Sequence, residues 1–149
     1  MKTGDKGLWL IEHYESFRSK PYLCPAGIAT IGFGSTYYAD GKRVALTDNP
    51  INELQARSLM AATLKAFELC VNKNCTGLNQ NQFDALVDFA YNCGVGNFQS
   101  STLLKKVKAN PNDQTIRAEF MKWNKGGGKV LNGLTKRRAD EANLYFLKP

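Results

Sequence analysis

The chain has 149 residues, of which 43% are hydrophobic and 22% charged, a composition typical of one globular domain and not of a disordered chain. The net charge is +7, and the whole excess lies in residues 101–149, which carry eleven Lys/Arg against four Asp/Glu. Such a basic region attracts polyanions, but the zinc spacings, stacking aromatics and basic arms of nucleic-acid-binding modules are missing.

The N-terminal third predicts a helix followed by a small sheet. Residues 4–18 have helical periodicity, and the apolar run within them, Leu8 to Ile11, is too short for a signal peptide or a membrane span. We therefore expect synthesis in a cytoplasm without a secretion signal. Prolines after residue 20 end the helix, and residues 22–46 are predicted as short strands and turns, with a hairpin turn at Asp40-Gly41.

From residue 49 onward the pattern is helical. Asn49 is the predicted N-cap of a long helix with Pro50 at its first position. Asn79 and Gln82 resemble a capping box that begins a second helix. Two glycines end this helix, and three shorter helices follow. The predicted end of this helix is at Gly94 and Gly96. The three shorter helices are predicted to begin near Ser100, Asp113 and Leu134.

The order of one helix, a small sheet and about five helices predicts an α+β fold with two lobes, a small β-sheet lobe and a larger helical lobe. We expect a cleft between the lobes, because ligands commonly bind in such clefts. No repeat, linker or low-complexity tract divides the chain, so a single domain over residues 1–149 is expected.

The four cysteines and the single histidine do not predict a metal site. Cys24, Cys70, Cys75 and Cys93 form no Cys-x-x-Cys pair, and His13 is near none of them in sequence. We expect four reduced thiols, no metal and no cofactor, and the sequence leaves open whether Cys70 and Cys75 pair under oxidising conditions.

A spaced set of polar residues gives the sharpest functional indication. Glu15 ends the first predicted helix, eight residues separate it from Cys24, and five more separate Cys24 from Thr30. This pattern resembles the phage lysozyme family, the T4/P22-type endolysins of glycoside hydrolase family 24. The resemblance continues in order through residues 78–86, 92–98 and 101–104, then Trp123, residues 133–134 and residues 137–138. Two departures are Cys24, where most members have an acidic residue, and Ser35, where a histidine is common.

The resemblance implies a lysozyme-like fold and a muramidase that hydrolyses the β-1,4 bond between N-acetylmuramic acid and N-acetylglucosamine. Glu15 would be the acid that protonates the leaving oxygen, a step that glycoside hydrolysis requires. Cys24 and Thr30 would position the attacking water, with Cys24 acting as nucleophile, base or spectator. Arg18 and Lys20 are close in sequence to Cys24, and two alternatives stay open: these cations lower the pKa of its thiol and Cys24 contributes as a thiolate, or they do not and Cys24 is a spectator.

Each of these residues also has a purely structural interpretation. A Glu at a helix end is most often exposed, a Cys before Pro is usually a small buried hydrophobe, and a Thr in a strand often reflects β propensity. The flanking matches favour catalytic roles. The alternatives left open are a lytic transglycosylase acting on the same bond, a catalytically dead wall-binding relative, and a cationic protein acting on nucleic acid or membranes.

The resemblance also implies partners and a place of action. We expect a monomer that acts on peptidoglycan in the periplasm, causes host cell lysis and depends on a holin for export. We expect neither a nucleic-acid partner nor stable membrane insertion.

Overall fold

The computed structural model describes all of residues 1–149 and consists mainly of helices with two small antiparallel sheets. In chain order the elements are α1 Asp5–Glu15, β1 Arg18–Leu23, β2 Ala29–Gly32, α2 Glu53–Asn74, α3 Gln80–Cys93, α4 Val95–Ser100, α5 Thr102–Ala109, α6 Ile116–Met121, β3 Lys125–Gly126, β4 Lys129–Val130 and α7 Asn132–Phe146. The predicted α+β class is confirmed.

The chain forms two compact units. One consists of residues 11–66 and contains the β1–β2 hairpin, and the other consists of residues 1–10 and 67–149 and contains α3 to α7. A small sheet-bearing unit and a larger helical unit are thus present, as the sequence predicts, while the expected cleft stays a prediction.

The unit of residues 11–66 has its own small apolar core. Ile31, Val44 and Leu59 are buried together in it. The predicted turn at Asp40-Gly41 is confirmed, since Tyr37 pairs with Arg43 across it and Gly41 has a φ of +85°.

Two boundaries in this unit differ from the sequence prediction. Helix α1 ends at Glu15 rather than near residue 18, because Ser16 adopts a left-handed φ of 58°. Helix α2 begins at Glu53 rather than at Pro50, because Asn52 and not Asn49 is the cap. The Asn52 side chain accepts from the Gln55 amide at 2.7 Å, and the Gln55 side chain accepts from the Asn52 amide at 2.8 Å.

The helical unit is built around α3, in which all of residues 81–90 are buried. The predicted capping box of Asn79 and Gln82 is confirmed at the start of this helix. Helix α3 also provides the cap of α1, because the Asp84 carboxylate accepts from the backbone amides of Gly4 at 2.9 Å and Gly7 at 3.2 Å. A Cβ on Gly7 would lie 2.9 Å from the Asp84 Cβ, so glycine permits this approach.

The remaining differences lie in the second half of the chain. Gly94 ends α3 as predicted, but Gly96 lies within the next helix, α4. Helix α5 is capped by Ser101 rather than Ser100. The β3–β4 hairpin was not predicted, although its turn residues, Gly127 and Gly128, both have the positive φ that such turns require.

Part of the basic C-terminal region is internal. Arg137 and Arg138 on α7 are 4% and 0% exposed and form ion pairs at 2.7 Å with Asp88 and Glu141, respectively. Burial and the nearby Asp88 carboxylate raise the pKa of Glu141. Nine of the eleven basic residues in 101–149 therefore remain for the surface.

All four cysteines are free thiols in the structure. Cys70 and Cys75 are buried, and burial raises the pKa of Cys75 to about 11 and also raises that of Cys70. Their pairing under oxidising conditions stays a prediction. None of the helices combines the length and the apolar character needed to cross a bilayer.

Candidate active site

Glu15 is the last residue of α1, and its side chain is partly exposed. The chain turns immediately after Glu15 because Ser16 has a positive φ of 58°. No other residue except glycine has a positive φ. The Ser16 amide still donates to the Glu12 carbonyl at 3.0 Å, which closes the last turn of the helix. This conformation is unfavourable for an L-residue by about 1–2 kcal/mol, and it directs the chain from Glu15 into β1 within two residues.

The β1–β2 hairpin holds Cys24 and Thr30. Cys24 stands at the start of the turn, where its amide donates to the Ile28 carbonyl at 3.0 Å and its carbonyl accepts from the Gly27 amide at 2.8 Å. Thr30 lies on β2, is 3% exposed, and its hydroxyl donates to the Ile28 carbonyl at 2.9 Å. The turn therefore brings Cys24 and the Thr30 hydroxyl to the same acceptor, the Ile28 carbonyl.

The turn around Cys24 lowers the pKa of its thiol. Its pKa lies below the ordinary value of 9.0, chiefly because of a hydrogen bond from the Ile28 backbone, with a smaller contribution from the Ala26 backbone, and burial partly opposes these effects. The direction expected in the first alternative is confirmed, but the cause expected there is wrong. Neither Arg18 nor Lys20 is among the groups that lower this pKa.

Arg18 instead packs on Tyr22, a residue to which the sequence analysis assigned no role. The Arg18 guanidinium carbon lies 4.2 Å from the centroid of the Tyr22 ring. Tyr22 is half-buried and pairs directly opposite Thr30. Burial, then the Glu15 charge, then that of Cys24 raise the pKa of the Tyr22 phenol, with Arg18 acting against them.

The predicted site residues Glu15, Cys24 and Thr30 all lie near Tyr22. The charges of Glu15 and Cys24 both act on the Tyr22 phenol, Tyr22 is paired with Thr30, and the Thr30 hydroxyl and the Cys24 amide both donate to the Ile28 carbonyl. The group contains one carboxyl, one thiol, one hydroxyl and one phenol, which is suited to proton transfer and to holding water. No three or more His, Cys, Asp or Glu side chains are grouped in a way that could hold a metal ion.

Comparison with known proteins identifies the family. A family model described as Phage lysozyme matches residues 12–141. The chain belongs to the phage lysozyme family. It is 40% identical over 98% of its length to an endolysin of Bacillus phage B103, of which it covers 54%. It is 36% identical to an endolysin of Acyrthosiphon pisum secondary endosymbiont phage 1, over 97% of this chain and 98% of that relative.

The fold of the phage lysozyme family is confirmed by a solved structure. The endolysin from Escherichia coli O157:H7 phage FAHEc1 matches with a TM-score of 0.87 and 36% identity, and the match covers 98% of this chain and 94% of that one. The chain spans about half the length of the Bacillus phage relatives that it matches.

The second departure from the phage lysozyme pattern is accommodated within the unit of residues 11–66. Ser35 is 0% exposed, its backbone pairs with Ile31, and its hydroxyl lies 3.2 Å from the Thr63 hydroxyl. Ser35 thus joins the end of the hairpin segment to α2. Gly32, three positions earlier, has a φ of +67°, and a Cβ there would lie 3.1 Å from the Ala56 Cβ.

Proposed function

We propose that this chain is the catalytic domain of an endolysin, over residues 1–149, and hydrolyses the β-1,4 bond between N-acetylmuramic acid and N-acetylglucosamine in peptidoglycan. The observation that carries the proposal is the placement of Glu15, Cys24 and Thr30 within one compact unit, where Cys24 and Thr30 share the Ile28 carbonyl as acceptor. The relatives from Bacillus phage B103 and from Acyrthosiphon pisum secondary endosymbiont phage 1 are endolysins, which supports the same substrate.

The proposed mechanism uses one proton donor and one proton acceptor. Glu15 donates a proton to the oxygen that leaves the sugar, while a water attacks the anomeric carbon from the opposite face. The Cys24 thiolate accepts the proton of this water. Thr30 donates its own proton to the Ile28 carbonyl, so the hydroxyl oxygen is left to accept a hydrogen bond from the water and orient it. The sugar configuration is inverted.

A lytic transglycosylase is the second candidate, and one observation favours it. Position 24 holds a thiol where a second carboxylate is usual in the family, and a transglycosylase needs no base for water because a sugar hydroxyl closes a ring. Both activities would clear a suspension of purified walls. The proposed function is tested by adding the chain to purified peptidoglycan: we expect turbidity to fall and new sugar ends to appear, and an unchanged suspension would reject it.

We expect Cys24 to control the pH dependence of wall cleavage. Because the pKa of the thiol is lowered from 9.0, the thiolate fraction and the rate of wall cleavage should rise with pH below that value. We expect Cys24→Ala to lower the turnover number about 10²-fold and Cys24→Asp to remain active. The measurement is the initial rate of wall cleavage between about pH 5 and 9.

Alkylation with iodoacetamide provides the control for this prediction. Cys70 and Cys75 are buried, and burial raises the pKa of Cys93 to about 11, so the activated Cys24 should react first. The reagent should inhibit the wild type and spare the Cys24→Asp variant. Full activity of Cys24→Ala, or of an alkylated wild type, would make Cys24 a spectator.

We expect binding to walls to depend on salt. Nine basic residues of the C-terminal region are not buried, and a rise in ionic strength from ~0.01 M to ~0.15 M shortens the screening length from ~30 Å to ~8 Å. The apparent KM for walls should rise several-fold while the turnover number stays constant. A KM that is flat over this range would mean that the basic surface takes no part in wall binding.

The proposal includes partners and a place of action. The protein acts as a monomer on peptidoglycan in the periplasm and brings about host cell lysis, and a holin gives it access to the wall. It binds no nucleic acid and does not insert stably into membranes.

A further inference from the structure

Tyr22 has an unusual setting on β1. Between the paired positions Arg18↔Gly32 and Tyr22↔Thr30, β1 has three residues where β2 has one, so β1 bulges. Pro21 lies in this bulge, where its lack of a backbone N–H costs no ladder hydrogen bond. The bulge allows Arg18 to reach the face of the Tyr22 ring, at 4.2 Å.

The phenol of Tyr22 is an available hydrogen-bond donor. Its ring is held by Arg18, but its O–H makes no hydrogen bond within the chain, and the residue is only partly buried. Burial and the Glu15 charge raise its pKa above 10.0, which keeps the proton on the phenol over the range in which a lysozyme acts.

The Tyr22 phenol lies near the residues of the proposed mechanism. Directly opposed residues of an antiparallel pair project to the same face, so Tyr22 and Thr30 face the same space. The charges of Glu15 and Cys24 reach the phenol from the same neighbourhood. A neutral donor beside the acid and the water-holding group is placed to contact an oxygen of the sugar being cut.

We propose that Tyr22 is a substrate-contacting residue, whose phenol, oriented by Arg18 and placed beside Thr30, donates a hydrogen bond to an oxygen of the sugar at the cleavage point. This inference rests on the proposed function. Removal of the hydroxyl in Tyr22→Phe keeps the ring and its contact with Arg18. We expect this variant to lose about 10-fold in kcat/KM for wall cleavage, the effect of one hydrogen bond, and to unfold at the wild-type temperature.

A matched control exists in the same unit. Tyr37 also carries an arginine over its ring, with Arg43 at 5.5 Å, but its hydroxyl already accepts from the Arg43 Nε at 3.1 Å. Tyr37→Phe should therefore cleave walls at the wild-type rate. Arg18→Gln, which frees the Tyr22 ring, should lower kcat/KM less than Tyr22→Phe does.

A binding measurement distinguishes contact of Tyr22 with the substrate from a purely structural role. In the Glu15→Gln background, calorimetry with a soluble tetrasaccharide of alternating N-acetylglucosamine and N-acetylmuramic acid should give about 10-fold weaker binding when Tyr22→Phe is added. Wild-type cleavage and unchanged tetrasaccharide binding in the Tyr22 variant would overturn this inference alone. A wild type that cuts no walls would overturn the proposed function and this inference together.

Discussion

Glu15→Gln is expected to lower the rate at which purified walls are cleaved by at least about 10²-fold, with the fold intact. An amide has the shape of the carboxyl group but cannot donate a proton to a leaving oxygen at neutral pH. The residue is partly exposed at the end of α1, and glutamine keeps the size of its side chain. The measurement is the initial rate of release of new sugar ends, with thermal unfolding followed in parallel.

The matched control is Glu12→Gln, on the same helix and three positions earlier. The Glu12 carboxylate is paired with Arg57 at 2.9 Å, and a partly exposed pair of this kind contributes little to stability. We expect this variant to cleave walls at close to the wild-type rate. Retention of a tenth or more of the wild-type rate by Glu15→Gln would show that Glu15 is not the acid.

Arg138→Leu is expected to destabilise the protein by about 3–5 kcal/mol. Arg138 is 0% exposed, and its guanidinium donates to Glu141 at 2.7 Å, to Asn92 at 2.8 Å and to the Cys93 sulfur at 2.7 Å. Leucine fills part of the volume but removes the donor from the buried Glu141 carboxylate and from the partly buried Asn92 and Cys93. The free energy of unfolding in urea at pH 7 is the measurement.

Two further variants test the cause of this loss. Arg117→Leu, which changes an exposed arginine, should stay within about 0.5 kcal/mol of the wild type. Arg138→Leu combined with Glu141→Leu removes both charges and should cost less than Arg138→Leu alone. If the double variant were the less stable, the buried ion pair would not be the source of the effect.

The same cluster predicts a pH dependence with a defined sign. Burial and Asp88 already raise the pKa of Glu141 above 4.5, and Arg138 acts to lower it, so Arg138→Leu raises it further. For an acid with a raised pKa in the folded state, the stabilising protonated form is lost as the pH rises. The destabilisation by Arg138→Leu should therefore be smaller near pH 4.5 than at pH 7.

The features that the sequence predicts well are local ones. Asn79 and Gln82 are three residues apart, and their reciprocal hydrogen bonds need nothing from the rest of the chain. The predicted N-cap of α2 is wrong because Asn49 and Asn52 are both residues that favour this position. The choice depends on Gln55, whose side chain and backbone amide both form hydrogen bonds with Asn52. The turn at Asp40-Gly41 is predicted correctly because this residue pair carries its own turn signal.

The features that the sequence does not reveal depend on distant partners. Arg137 was counted with the basic region, but Asp88, to which it is bound, is 49 positions away. The role of Tyr22 follows from the bulge in β1, which shifts the register and brings Arg18 onto its ring. The cause of the lowered Cys24 pKa was missed for a similar reason, since backbone amides of a turn have no sequence signal.

The most direct test of the central claim is the chemistry of the sugar ends released from purified peptidoglycan by the wild-type chain. Mass spectrometry separates the two possible products by one molecule of water. Hydrolysis with Glu15 as acid and a water held by Cys24 and Thr30 predicts N-acetylmuramic acid with a free reducing end. Release of 1,6-anhydro-N-acetylmuramic acid as the product would contradict the account, because no water would then take part in cleavage.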